Sequence, residues 1–236
     1  MGRRTNLVCD RRWGFALVEF TIEGGGTLKF EPQALIIAGF TGRNREKVQE
    51  HIDEMREHGV PIPASTPTFY PVPTALLTIE RSIDVTTAES SGEVEPVLIA
   101  AGNDWYITLG SDHTARDREK VDIAQSKAAC PKILCTHAWR YADVRTHWDS
   151  LTLSGWAVED GRRTPYQRGT CGDVMRLEDL VPRLRESVPG LAADYVMCMG
   201  TLPLIGGKFV YAHRYEFEFA DPVLGRAFTL GYDVQF

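Results

Sequence analysis

The chain is poor in the features that mark several protein classes. Its five cysteines, Cys9, Cys130, Cys135, Cys171 and Cys198, are an odd set without a C-x-x-C pair. That excludes a fully paired disulfide framework and a zinc knuckle, and it fits reduced thiols acting as small buried side chains. Long apolar runs are missing: Ala34-Leu35-Ile36-Ile37-Ala38 falls far short of a membrane-spanning helix. The opening residues, Met1-Gly2-Arg3-Arg4-Thr5-Asn6, carry no secretory h-region, so a cytoplasmic protein is expected. Basic residues are scattered through a chain of net charge −6, which leaves no electrostatic footprint for nucleic acid. The expected partner is a small molecule, with neither nucleic acid nor membrane.

With 236 residues, 43% of them hydrophobic, the chain is long enough to bury one sizeable core. Alternation over Phe15 to Ile22, the turn Gly24-Gly25-Gly26 and the return over Thr27 to Phe30 predict a hairpin. Val48, Ile52 and Met55 make an apolar stripe on a predicted helix from Arg45 to Glu57, which Gly59 and Pro61 stop. Pro61, Pro63, Pro67, Pro71 and Pro73 then predict an extended loop. From Leu76 onward short strands recur: Leu76–Ile79, Val94–Ile99, Trp105–Leu109, Leu151–Leu153, Tyr195–Cys198, Phe209–Tyr211, Tyr215–Phe219 and Ala227–Leu230, with a helix from Glu178 to Ser187. The pattern is that of a β-rich mixed α/β fold.

Chemistry concentrates in Glu93-Val94-Glu95 and, seventeen residues after Glu95, Asp112. If Val94 to Ile99 is a strand, its period of two aims the carboxylates of Glu93 and Glu95 to one face. Asp112, at the end of the next strand, completes three oxygen ligands suited to a hard cation such as Mg²⁺ or Mn²⁺. A solvated face of an acidic edge strand gives the same pattern, and spacing alone does not separate the two readings. His113 and His137 lack a ligand partner at a zinc spacing and read as supporting or structural groups.

Gly92-Glu93-Val94-Glu95-Pro96-Val97-Leu98-Ile99, followed by Leu109-Gly110-Ser111-Asp112-His113-Thr114-Ala115-Arg116-Asp117, resembles the glutamate pair and the aspartate-x-serine/threonine-alanine-arginine-aspartate block of the fumarylacetoacetate hydrolase family. Gly42-Arg43-Asn44 with His51-Ile52-Asp53-Glu54-Met55, Lys127 ahead of Cys130-Pro131, and Gly200-Thr201 in Met199 to Gly207 resemble further family segments, in a branch similar to a domain of unknown function. The resemblance implies that family's fold, with a small N-terminal portion: residues 1–75 carrying the hairpin, a lid-like helix and the proline-rich loop, and residues 76–236 forming the β-rich catalytic domain.

It also implies a metal-dependent hydrolase that cleaves a carbon–carbon bond in a 1,3-diketo or acylpyruvate-type compound. Glu93, Glu95 and Asp112 would be the ligands of Mg²⁺ or Mn²⁺. His51, oriented by Glu54, would activate water, Lys127 would stabilise an enolate oxygen, and Arg116, Gly200 and Thr201 would contact a keto acid or diketone. Glu119 stands where several relatives carry glutamine, and the interval from Asn44 to His51 is longer than theirs. Homodimerisation is a further family expectation. Two alternatives follow: a decarboxylase, hydratase or isomerase working through an enolate at the metal, and a non-catalytic metal- or ligand-binding protein of the same fold.

Overall fold

The computed structural model describes residues 17–57 and 62–236. Cys9, Phe15, Ala16, His58, Gly59 and Pro61 lie outside them. Among the described residues no helix is long and apolar enough to cross a membrane.

The chain opens with strands β1 (Val18–Ile22), β2 (Thr27–Phe30) and β3 (Ala34–Gly39), then helix α1 (Arg45–Glu57) and strand β4 (Thr68–Val72). Short strands β5 (Leu77–Thr78), β6 (Ser82–Asp84) and β7 (Ser90–Ser91) lead into the long pair β8 (Val94–Ala101) and β9 (Asp104–Asp112). Next come β10 (Thr114–Ala115), α2 (Arg116–Glu119), α3 (Ile123–Ala128), β11 (Lys132–Arg140) and α4 (Tyr141–Val144). Strands β12 (Thr152–Glu159) and β13 (Arg162–Thr170), helix α5 (Leu177–Ser187), and strands β14 (Tyr195–Cys198), β15 (Arg214–Asp221) and β16 (Arg226–Gln235) complete it.

A nine-stranded mixed sheet runs β2-β1-β11-β9-β8-β14-β3-β4, with β5 joined to β11, and takes strands from both sides of residue 75. A five-stranded sheet runs β13-β12-β15-β16-β6. Alternation along β8 explains how they pack. Val97 and Ile99 point into a core shared with Phe20 and Phe30 from one end of the large sheet and Leu35, Ile37 and Val72 from the other. Strands so far apart in the order meet in one cluster only because the sheet curls around it. Leu98 and Ala100 point the opposite way, into a second core with Phe217, Phe219 and Phe228 of the small sheet and Leu180 and Leu184 of α5. Burial on both faces is why β8 reads as a nearly unbroken apolar run.

Two expectations need correction. The proline-rich segment is not all loop, because residues 68–72 form β4 against β3. Pro71 fits there because β4 is the last strand in the order, where a missing N–H leaves no ladder bond unmade. Phe209 to Tyr211, expected as a strand, is irregular: the Val210 carbonyl accepts from the Tyr215 hydroxyl at 2.5 Å instead of joining a ladder.

Trp139 joins the two sheets. Fully buried, it lies 4.2 Å from the ring of Phe228 and 4.9 Å from that of Phe219, centroid to centroid, and its indole N–H donates to Glu23 at 2.5 Å. Trp139→Ala is expected to cost about 3–5 kcal/mol, read as a lower urea midpoint; a midpoint within error of the wild type contradicts this packing.

Candidate metal centre

Sheet register assembles the acidic residues. Antiparallel pairing of β8 with β9 sets Val94 against Ser111 and Glu95 against Gly110, and the Asp112 N–H reaches the Glu93 carbonyl at 3.2 Å. On the other side of β9, Asp112 pairs with Lys132 and Gly110 with Leu134. Glu93, Asp112 and Lys132 therefore form one cross-strand row, and Glu95, Gly110 and Leu134 the next. Glu93 and Glu95 continue the row of Val97 and Ile99, so the carboxylates close one end of the core inside the curled sheet.

The three side chains offer one oxygen each within 4.8 Å of one another. Glu93 is 7% exposed, Glu95 2% and Asp112 not at all, which rules out a solvated edge strand. Three cations meet them. Lys127 Nζ donates to Glu93 Oε2 at 2.6 Å and lies 2.7 Å from Asp112 Oδ2, Lys132 Nζ lies 2.6 Å from Asp112 Oδ1, and Arg116 Nη2 lies 3.0 Å from Glu93 Oε1. Neither Asp112 oxygen is met along a well-directed hydrogen bond. Glu95 has no cationic partner among the described residues and accepts the Gly200 N–H at 2.8 Å.

Burial and charge set the protonation states. Burial pushes the Glu93 carboxyl up, but Arg116 and Lys127 outweigh it and hold the group far below the glutamate range. Burial pulls Lys127 and Arg116 down; the carboxylates Asp112 and Glu93 around Lys127, and Glu93 and Glu119 around Arg116, more than restore their charge. Glu95 goes the other way. Burial, then the charges of Asp112 and Glu93, raise it well above its ordinary 4.5. With Glu95 ionised, Glu93, Glu95, Asp112 and Glu119 against Arg116, Lys127 and Lys132 leave one uncompensated negative charge; the raised Glu95 pKa is the response to it. An all-oxygen set of buried carboxylates, two oxygens lacking directed bonds and one group with no ion-pair partner among the described residues, is able to hold a hard divalent cation.

The other residues singled out in the sequence distribute around this cluster. Arg116, almost fully buried, donates from Nε to Ser91 at 2.8 Å and from Nη1 to Glu119 at 2.8 Å, and the Phe209 ring covers its face at 4.1 Å. Gly200, at φ +110°, lies against Thr41, leaving no space for a Cβ. The Thr201 hydroxyl donates to the Val94 carbonyl at 3.1 Å. Arg43 grips Asp149 through both terminal nitrogens at 2.9 and 3.0 Å, and the Asn44 side chain accepts the N–H groups of Glu46 and Lys47 at the start of α1. The base of α1 is thus anchored beside the Gly200 turn. His51 and Glu54 lie on α1, where the backbone alone is described.

One contributor, Gln167, carries no sequence motif. Gln167, on β13, accepts the Val94 N–H at 2.9 Å and donates to Leu202 O at 2.6 Å and Thr201 Oγ1 at 2.8 Å, clamping the 200–202 turn to the ligand strand. His113 bridges Ser90 and Tyr232 at 3.0 Å each; burial, then Lys132 and Arg116, lower it to about 3, so it stays neutral. His137 packs against Phe228. The four described cysteines, Cys130, Cys135, Cys171 and Cys198, are free and buried.

A curled mixed sheet backed by a second sheet, with buried carboxylates at the shared end of two adjacent strands, defines a protein of the fumarylacetoacetate hydrolase-like fold. Residues 38–232 match the family described as "protein of unknown function (DUF2848)", and the chain belongs to that family. Among solved structures it is similar to 2-keto-3-deoxy-D-arabinonate dehydratase complexed with magnesium and 2,5-dioxopentanoate (15% identity, TM-score 0.60, 89% of this chain and 76% of that one). It is similar also to 5-carboxymethyl-2-hydroxymuconate delta-isomerase from Mycobacterium smegmatis (15%, 0.57, 89% and 85%). A third is yeast ynq8, a fumarylacetoacetate hydrolase family protein (13%, 0.54, 86% and 93%). No curated protein matches the chain by sequence.

The raised Glu95 pKa gives a stability test in chelator-treated protein. Above the ordinary 4.5 the folded state keeps a proton that the unfolded state releases, so this contribution is full below that pH and is lost as pH rises through the folded value. Glu95→Gln is expected to remove the decline and, at pH 8, to raise Tm by about 2–4 °C for each kcal/mol recovered, while abolishing any Tm increase that Mg²⁺ produces in the wild type. A Tm below that of the wild type at pH 8 contradicts the assignment.

Proposed function

We propose that the chain is a metal-dependent hydrolase that cleaves a carbon–carbon bond in an acylpyruvate or other 1,3-diketo small molecule. The observation that carries this reading is the buried set of Glu93, Glu95 and Asp112 with the Lys127 ammonium between two of them. Mg²⁺ or Mn²⁺ suits the all-oxygen donors; bound there, it supplies Lewis-acid polarisation of the substrate's oxygens.

The protein's own groups do the rest. His51, oriented by Glu54 three residues further along α1, takes a proton from water, which adds to the distal carbonyl. The carbon–carbon bond breaks, and its electron pair leaves with the keto acid fragment as an enolate that is then protonated. The Lys127 ammonium, fully charged in this setting, stabilises the negative oxygen that develops. Gly200 and Thr201 form the wall on which the substrate lies. Arg116 is proposed to meet the substrate from beside Glu93, a role that requires it to give up part of its contact with Glu119.

A second reading, dehydration or isomerisation through an enolate of the same kind, is favoured by the dehydratase and the isomerase among the structural relatives. The same centre without turnover is the remaining alternative. Product-resolved turnover of acylpyruvates, oxaloacetate and dienoates, with Mg²⁺, Mn²⁺ or chelator, separates them. Metal-dependent hydrolysis lost in Glu95→Ala supports the proposal, and a dehydrated or isomerised product transfers it to the second reading. His51→Ala is expected to lower turnover by about 10²–10⁴-fold with metal affinity retained; unchanged turnover removes His51 as the base.

A further inference from the structure

Each carboxylate of the cluster commits one oxygen to a partner other than Lys127, whose ammonium spans the remaining oxygens of Glu93 and Asp112 at 2.6 and 2.7 Å. Glu93 presents Oε1 to the Arg116 guanidinium at 3.0 Å, Glu95 presents Oε2 to the Gly200 N–H at 2.8 Å, and Asp112 presents Oδ1 to the Lys132 ammonium at 2.6 Å. Lys132 has nowhere else to go. It is fully buried, sits directly across the β9–β11 ladder from Asp112, and donates to the His113 carbonyl at 2.7 Å. The ammonium is therefore held from two directions against the outer oxygen of Asp112, and the inner oxygen, Oδ2, is the one turned toward Lys127 and Glu93.

Resting on the reading of this cluster as a metal centre, we propose that Lys132 is a positioning residue that confines Asp112 to one oxygen and so makes the centre selective for a small, water-retaining divalent cation over Ca²⁺. Calcium takes about six to eight oxygens at about 2.3–2.6 Å and commonly draws both from one carboxylate, whereas magnesium takes six at about 2.0–2.1 Å and keeps several waters. Each carboxylate then has one oxygen left for an ion, those of Glu93 and Asp112 shared with Lys127, which leaves calcium short of protein ligands and leaves magnesium its waters.

A buried lysine has a second effect, since its charge opposes every divalent cation. The two are separable. Charge alone moves the affinities for Mg²⁺ and Ca²⁺ together, because both ions carry the same charge, while release of Oδ1 favours the ion that uses two oxygens. The quantity that reports on positioning is the ratio of the two affinities.

The test is isothermal titration calorimetry of chelator-treated protein with MgCl₂ and with CaCl₂, on the wild type, Lys132→Met and Lys132→Arg. The wild type is expected to bind Mg²⁺ more tightly than Ca²⁺. Lys132→Met is expected to shift the ratio toward Ca²⁺ by about tenfold or more, and Lys132→Arg, which keeps a donor on Oδ1, to stay near the wild-type ratio. Wild-type protein that binds Ca²⁺ as tightly as Mg²⁺ overturns the proposal whether or not the variants fold. A Lys132→Met protein in which both affinities rise by the same factor overturns it too, leaving the metal reading in place. Failure of the wild type to bind either ion removes the metal reading and this inference with it.

Discussion

Three carboxylates buried at the end of two neighbouring strands are the constraint around which this structure is arranged. Isolated charges of one sign at this depth are strongly unfavourable, and they persist only with partners. The fold supplies those partners from three directions: Lys132 across the sheet, Lys127 from α3 and Arg116 from α2. Glu95 is left with a backbone N–H and a raised pKa. With Glu95 ionised the cluster carries one excess negative charge, which a divalent cation held there would more than offset.

The surrounding architecture follows from holding that end of the sheet rigid. Curling places the carboxylates at the edge of a closed apolar core, where side chains cannot relax toward water. Gln167 ties the Gly200 turn to the ligand strand, and Thr41 seats against Gly200, so the segment leading into α1 and the loop after β14 share one support. His113, neutral and bonded on both ring nitrogens, braces the opposite side through Ser90 and Tyr232. The cluster is thereby mounted on strand ends and short helices whose backbones are fixed by the ladder.

Much of this was legible in the residues themselves. Glu93 and Glu95 share a face because strands have a period of two, and that is a local property. Asp112 was reachable because β9 follows β8 by a tight connection, so its end returns beside the start of its neighbour. The helix from Arg45 to Glu57 announced itself through its stripe and the paired strands through their alternation. Lys132 stands directly after Cys130-Pro131, and that both it and Lys127 reach Asp112 depends on cross-strand register and on the packing of α3. Gln167 gave no signal, because a buried glutamine on a hairpin far along the chain acquires its role only when two sheets pack. Phe209 to Tyr211 misled for a related reason: β-prone residues form a strand only where a partner edge is free to receive them.

The most direct test of the central claim is an anomalous difference map from a crystal of the protein soaked in MnCl₂, recorded at the manganese edge. The account predicts one strong peak bonded to an oxygen each of Glu93, Glu95 and Asp112. A map with no peak between these side chains, at Mn²⁺ concentrations that saturate other sites, contradicts it.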